Sequence, residues 1–393
     1  MISQKEYAKR RAKLAKKLPD NSVSILYSAR YKTRSNDTEY PFRQDSNFYY
    51  LSGFKENKSA LMFVKQNGKT EITLFVAKKD KTQELWNGKR LGVARAKEIF
   101  MVDEVFEYEN LYIKDGKNSE DIVKLIREMR LKKSKSEISL IKKAINITKE
   151  AHHHVIKYDK SSKYEYELQA EIEHIFKKRG AYSDAYTSIV ACGNSANTLH
   201  YISNDKPLVK DKLILIDAGC EYDYYASDIT RTIPVNRKFS EPQKELYNMV
   251  LDIQLKIINM IKPNILRSKL QKESEKLLCE GLVKLGILKG SVKKLIKKKK
   301  HKKYYPHGIG HWMGLDVHDE APYEDEKGKE ITLKKGMILT IEPGIYCNED
   351  DENIPKKYRG IGIRIEDNIL VTKDGYENLS LSIVKSVEEI ENL

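Results

Sequence analysis

The chain has 393 residues, 40% of them hydrophobic and 33% charged, which suits a folded protein of about two domains and excludes a disordered or fibrous one. It has no run of 18 apolar residues, so no membrane-spanning helix is expected, and its four cysteines form no CxxC, which points to a reduced, cytoplasmic protein. The net charge of +15 invites a nucleic-acid reading, but residues 293–303 carry eight lysines and no acid; without them about +7 remains (15 − 8), no nucleic-acid-binding signature is present, and a solvated Lys-rich loop is the expectation there.

Residues 2–18 read as a basic amphipathic helix without the apolar core of a secretory signal. A short buried strand follows at 23–28, then a turn-rich polar segment, 34–54, leading into an aromatic strand that stops at Gly53. An Asn67–Gly68 turn splits two apolar runs and predicts a hairpin over 60–78. Helices are expected after Glu84 and over 118–130. Ser134 or Ser136 caps a long helix running to about His154, and a second helix ends at Gly180. Adjacent helical side chains diverge by about 100°, so His152, His153 and His154 cannot chelate one ion; they and His174 are expected at the surface or an interface. From residue 187 onward strands dominate, interrupted by helices near 241–262 and 266–286. The pattern is α+β, with helices packed on a mostly antiparallel sheet. The domain boundary is placed between 132 and 133.

The stretch His307–Asp319, HGIGHWMGLDVHD, holds three of the nine histidines and reads as a strand running into a turn. In a strand His307 and His311 share a face, while His318 joins them only if the chain bends near Gly314. Four carboxylates sit where the local pattern predicts burial: Asp217 ending LILID, Asp228 in YASDIT, Glu342 before Pro343, and Glu366 inside GIRIEDN. Buried carboxylates need partners, and the nearby Arg231 and Arg364 do not neutralise four. Two divalent cations do, with His311 as a neutral ligand. Mostly oxygen donors with one nitrogen favour manganese or a similar ion, and a water bridging two such ions becomes a nucleophile near neutral pH.

The set DAGCEYDYYASD, HGIGHWMGLDVHD, TIEPGIY and RGIGIRIEDN resembles the pita-bread metallopeptidases, a family that includes aminopeptidase P, prolidase and methionine aminopeptidase. The resemblance covers roughly 131–393. It implies Asp217, Asp228, His311, Glu342 and Glu366 as ligands of two metal ions, with Asp228 and Glu366 bridging. RSNDTEYPFRQDSNFYYLSGF and ELWNGKRLG resemble the N-terminal domain of the aminopeptidase P branch, and the Lys-rich 293–303 segment departs from the family pattern. The implied fold is a smaller creatinase-like α/β domain, 1–132, before a pita-bread domain, 133–393.

The implied reaction is hydrolysis of the bond between an N-terminal residue and a following proline by a metal-bridging hydroxide. Glu342 would shuttle the proton to the proline nitrogen, and His318 would hydrogen-bond the carbonyl or oxyanion. His200 and His307 would line the proline side, Arg364 would anchor a ligand carboxylate, and Tyr186 would help form the pocket or simply pack in the core. Trp86 and Asp37 would reach a neighbouring subunit's site in a dimer or tetramer; the plainer expectation is that Trp86 packs inside its own domain. A prolidase restricted to dipeptides, a non-catalytic binding protein on the same fold, and a basic nucleic-acid binder are the competing classes.

Overall fold

The Asn67–Gly68 dipeptide turns the chain as its sequence predicts: both residues have positive φ, 50° and 74°, the twist a two-residue hairpin requires. It joins Ala60–Gln66 to Lys69–Val76 in an antiparallel pair. The computed structural model describes residues 1–113, 117–157 and 162–393, which divide into two units, Met1–Arg130 and Leu131–Leu393.

In the first unit Ser22–Tyr27 and Glu104–Glu107 extend the hairpin into four strands, the last pairing parallel. Gln4–Ala15 and Glu120–Arg130 are amphipathic helices, as their apolar spacing requires. The aromatic run SNFYYLS is a helix, Ser46–Ser52, not the strand its composition suggests. Its ends decide this. The Asp45 carboxylate accepts from the Phe48 N–H at 2.8 Å, and Gly53 closes the helix in the left-handed region. All seven helix residues are buried, so an aromatic-rich helix is stable here.

In the second unit every described strand pairing is antiparallel. Four long helices pack on these sheets: Lys135–Lys157, Glu165–Lys178, Glu241–Asn259 and Arg267–Lys284. Ser134 begins the first with a capping box: its Oγ accepts from Glu137 N–H at 3.3 Å while Glu137 accepts from Ser134 N–H at 2.8 Å. Two apolar clusters fill the space between helices and sheets.

Three expectations fail in this unit. His152 is fully buried, not at the surface; its Nε2 lies 3.0 Å from the Ala218 carbonyl oxygen, and burial lowers its pKa to about 3. The Lys-rich segment is not a loop but a helix, Val292–Lys297, and a 3-10 turn, Lys300–Lys303; lysine is a good helix former, and Leu295 and Ile296 give one side some shelter. His307–Asp319 is not a strand. Its backbone is irregular, with one bridge, Trp312 to Leu339.

Candidate active site

The irregular stretch is fixed by a neighbouring strand. Thr340 N–H donates to the His311 carbonyl and Glu342 N–H to the Ile309 carbonyl, both at 2.9 Å, and His311 N–H donates to Thr340 Oγ1 at 3.1 Å. Contact is so close that a Cβ on Gly310 would stand 1.9 Å from the Thr340 carbonyl oxygen. Glycine is therefore required between the two histidines.

Strand register supplies the other carboxylates. Asp217 ends Leu213–Asp217 opposite Thr230 of Thr230–Pro234, and Asp228 precedes that strand by two residues. The Thr230 carbonyl accepts from Glu366 N–H at 3.1 Å, and its hydroxyl donates to Glu366 Oε2 at 2.8 Å. Asn368 brackets Asp228, donating to its carbonyl at 2.6 Å and accepting from its N–H at 3.2 Å. These bonds hold the acids against their mutual repulsion.

Asp217, Asp228, His311, Glu342 and Glu366 meet in one cleft of about 530 Å³, together with Tyr186, His200, His307, His318 and Arg364. Three overlapping sets each bring one donor atom per residue within 4.8 Å of the others: Asp228, His311 and His318; His311, Glu342 and Glu366; Asp217, Asp228 and Glu366. His311 Nε2 lies 3.2 Å from Asp228 and 3.7 Å from Glu342, while its Nδ1 is 3.0 Å from the Trp312 carbonyl. A carbonyl only accepts, so Nδ1 carries a proton and Nε2 faces the carboxylates.

The electrostatics are those of a site short of positive charge. Burial, then the charges of Asp228, Glu342 and Asp217, push Glu366 well above the ordinary carboxylate range. Burial raises Glu342 to about 7, helped by Asp228 and Asp217 and opposed by His311 and Arg364. Burial also raises Asp217 against the pull of Arg364. For His311 burial is outweighed by the Asp228 hydrogen bond and charge and by Glu342, so the ring is raised to about 9. Glu366 Oε1 is buried without a hydrogen-bond partner. A divalent cation would satisfy all of this at once: it would lower each of these acids, displace the His311 proton and give the orphaned oxygen a partner.

The arginines divide as the sequence could not show. Arg364 donates from Nη2 to Asp217 at 2.7 Å, but Arg231 pairs with Asp367 at 2.8 Å and not with Asp228. Tyr186 lines the cleft and donates its hydroxyl to Asp217 at 2.6 Å, so it is not a core aromatic. The His318 ring meets the His311 ring edge-on at 4.1 Å, and His200 is exposed on the cleft. Trp86 and Asp37 lie in the first unit and both are exposed; at 80% exposure Trp86 does not pack inside its own domain.

Sequence reasoning missed Tyr346. Its hydroxyl lies 2.8 Å from His307 Nε2 and accepts from Arg364 Nη1 at 2.8 Å. His307 Nδ1 donates to the Gly308 carbonyl at 2.8 Å, so Nε2 accepts from Tyr346. Burial, with Arg364 adding, lowers His307 to about 3 and keeps it neutral. The available signal was position: Tyr346 lies four residues after Glu342 in TIEPGIY, and the structure pairs that segment with Arg364 through Gly344.

The sequence pattern of metallopeptidase family M24 matches residues 139–373, and that of the aminopeptidase P N-terminal domain matches 7–115. The chain belongs to metallopeptidase family M24. It is 39% identical to the Xaa-Pro aminopeptidase of Haemophilus influenzae, covering all of this chain and 97% of that one, and 37% identical to the Escherichia coli Xaa-Pro aminopeptidase, covering 98% of it. The structure of Escherichia coli aminopeptidase P with the inhibitor Pro-Leu superposes with a TM-score of 0.94 at 38% identity over all of this chain and 98% of that one. The architecture is thus an aminopeptidase P N-terminal domain followed by the pita-bread domain of M24.

Proposed function

We propose that this chain is a metal-dependent Xaa-Pro aminopeptidase, a metalloexopeptidase that removes the residue preceding a proline from peptides. One observation carries the reading of the site: among the described residues, four carboxylates and four imidazoles share a cleft with one arginine, which is bonded to Asp217, a charge balance suited to two divalent ions. Asp217, Asp228, His311, Glu342 and Glu366 would hold them, and the oxygen-rich donor set favours manganese. Such a pair, when bound, would supply an activated water and a Lewis acid for the scissile carbonyl.

The remaining work falls to side chains. Glu342 Oε takes the proton from the attacking water and delivers it to the proline ring nitrogen, which cannot leave well unprotonated. His318 donates to the carbonyl oxygen as negative charge develops there. His200 and neutral His307 flank the proline. Arg364 and Tyr186 orient Asp217 through its two oxygens. Trp86 completes the site of a neighbouring subunit in a dimer or tetramer. The four free, buried cysteines support a reducing, cytoplasmic setting.

The deciding experiment compares an Xaa-Pro dipeptide with an Xaa-Pro-Xaa-Xaa tetrapeptide, with manganese and then with chelator. Cleavage of the tetrapeptide, lost on chelation, is the expected result; cleavage of the dipeptide alone makes the protein a prolidase.

A further inference from the structure

Behind the cleft wall, one face of the Arg267–Lys284 helix grips the backbone between His307 and His311. Arg267, Gln271 and Glu275 are successive i, i+4 positions and so share that face. Arg267 Nη1 donates to the Gly310 carbonyl at 3.0 Å. Gln271 Oε1 accepts from the Ile309 N–H at 2.6 Å, and its Nε2 donates to Glu275 Oε1 at 2.8 Å. Lys302, at the end of the Lys-rich segment, places Nζ 2.7 Å from the same Glu275 oxygen. None of these four side chains lines the cleft.

We infer that Gln271, oriented by Glu275, is a positioning residue that sets the spacing of His307 and His311. Ile309 is the midpoint between the two histidines, and its own carbonyl accepts the Glu342 N–H. A shift of Ile309 therefore moves both imidazoles relative to Glu342. The segment has no regular secondary structure to hold it, and glycines flank Ile309 on both sides, so external bonds must fix it. An amide can be turned either way. Glu275 accepts hydrogen bonds but donates none when ionised, so it draws the Gln271 NH2 group to itself and leaves Oε1 facing Ile309. Lys302 balances the carboxylate charge. The Lys-rich segment is thereby tied to the site through its last turn.

The inference rests on the aminopeptidase reading for its kinetic arm, and manganese affinity, measured by calorimetry without substrate, tests it independently. Gln271→Met keeps the side-chain length and removes both hydrogen bonds. It is expected to lower kcat on the tetrapeptide and to weaken manganese binding, each by about tenfold, in the range of changes behind a metal ligand. Gln271→Glu faces Glu275 with a like charge and is expected to lose about as much. The exchanged pair, Gln271→Glu with Glu275→Gln, restores an acceptor for Ile309, a donor between the two side chains and an acceptor for Lys302. It should return kcat and manganese affinity to within about threefold of the parent. A merely structural role predicts no such rescue. The inference is overturned if folded Gln271→Met keeps both values within twofold, or if the exchanged pair melts like the parent and recovers neither. A parent protein that binds manganese but leaves the tetrapeptide intact sinks the substrate reading alone.

Discussion

Glu342→Gln should change activity and metal-free stability in opposite directions. In the metal-free protein burial and the neighbouring acids raise Glu342 from 4.5 to about 7. Between those values the folded state holds a proton that the unfolded state has released, so stability is complete below pH 4.5 and falls as pH rises to about 7. The full span, 2.5 pH units at about 1.4 kcal/mol each, is about 3–4 kcal/mol. The side chain keeps 18% of its surface open to the cleft, so solvent screening reduces this to about 2 kcal/mol. Glutamine is neutral in both states and escapes that loss. It also keeps an acceptor for the Thr340 hydroxyl, 3.3 Å away. The chelated variant should therefore melt roughly 4 °C above chelated parent at pH 8 and with it at pH 4.5. With metal supplied, the same substitution removes the proposed proton carrier and should lower kcat by on the order of 10³. The assays are thermal melts in chelator across that pH range and tetrapeptide hydrolysis with manganese. Parallel pH–stability curves for the two chelated proteins would falsify the charge-crowding account of the cleft.

Tyr346→Phe leaves an Arg364 N–H buried without its acceptor, so stability should fall by about 1–3 kcal/mol with hydrolysis slowed; an unchanged urea midpoint would remove Tyr346 from the network. Gly310→Ala drives a Cβ against the Thr340 carbonyl and should weaken manganese binding more than tenfold, measured by calorimetry; parent affinity would mean the histidine segment is free to move. Buried His152, lowered from 6.5 to about 3, makes the folded state resist a proton that the unfolded state takes up. Stability is therefore lost as pH falls from 6.5 towards 3, at up to about 1.4 kcal/mol per unit, and His152→Gln should flatten that acid limb in denaturant titrations. Chelation should lower the melting temperature more at pH 8 than at pH 5, because more of the crowded acids are ionised; an equal drop at both would argue against carboxylate ligands.

The convergence of four acids was legible because buried carboxylates are rare and carry their own signature: an acid ending an apolar run has to be paired or bound. The Ser134 cap and the Asn67–Gly68 hairpin were legible for a similar reason, since local backbone chemistry admits few alternatives. What failed depended on neighbours distant in sequence. The aromatic run Ser46–Ser52 is helical because its capped ends and full burial override strand propensity. His152 is buried because the Ala218 carbonyl waits for it 66 residues away. The His307–Asp319 stretch looked like a strand because glycine-spaced apolar residues suit one, but its partners are single groups: the Thr340 N–H and hydroxyl, the Gln271 amide and the Arg267 guanidinium. The sequence thus determined which side chains are on hand to line the cleft and in what order they occur. Only the tertiary structure decided how four strand-end segments and one irregular loop bring them together, because that spacing is set by long-range hydrogen bonds that no local pattern encodes.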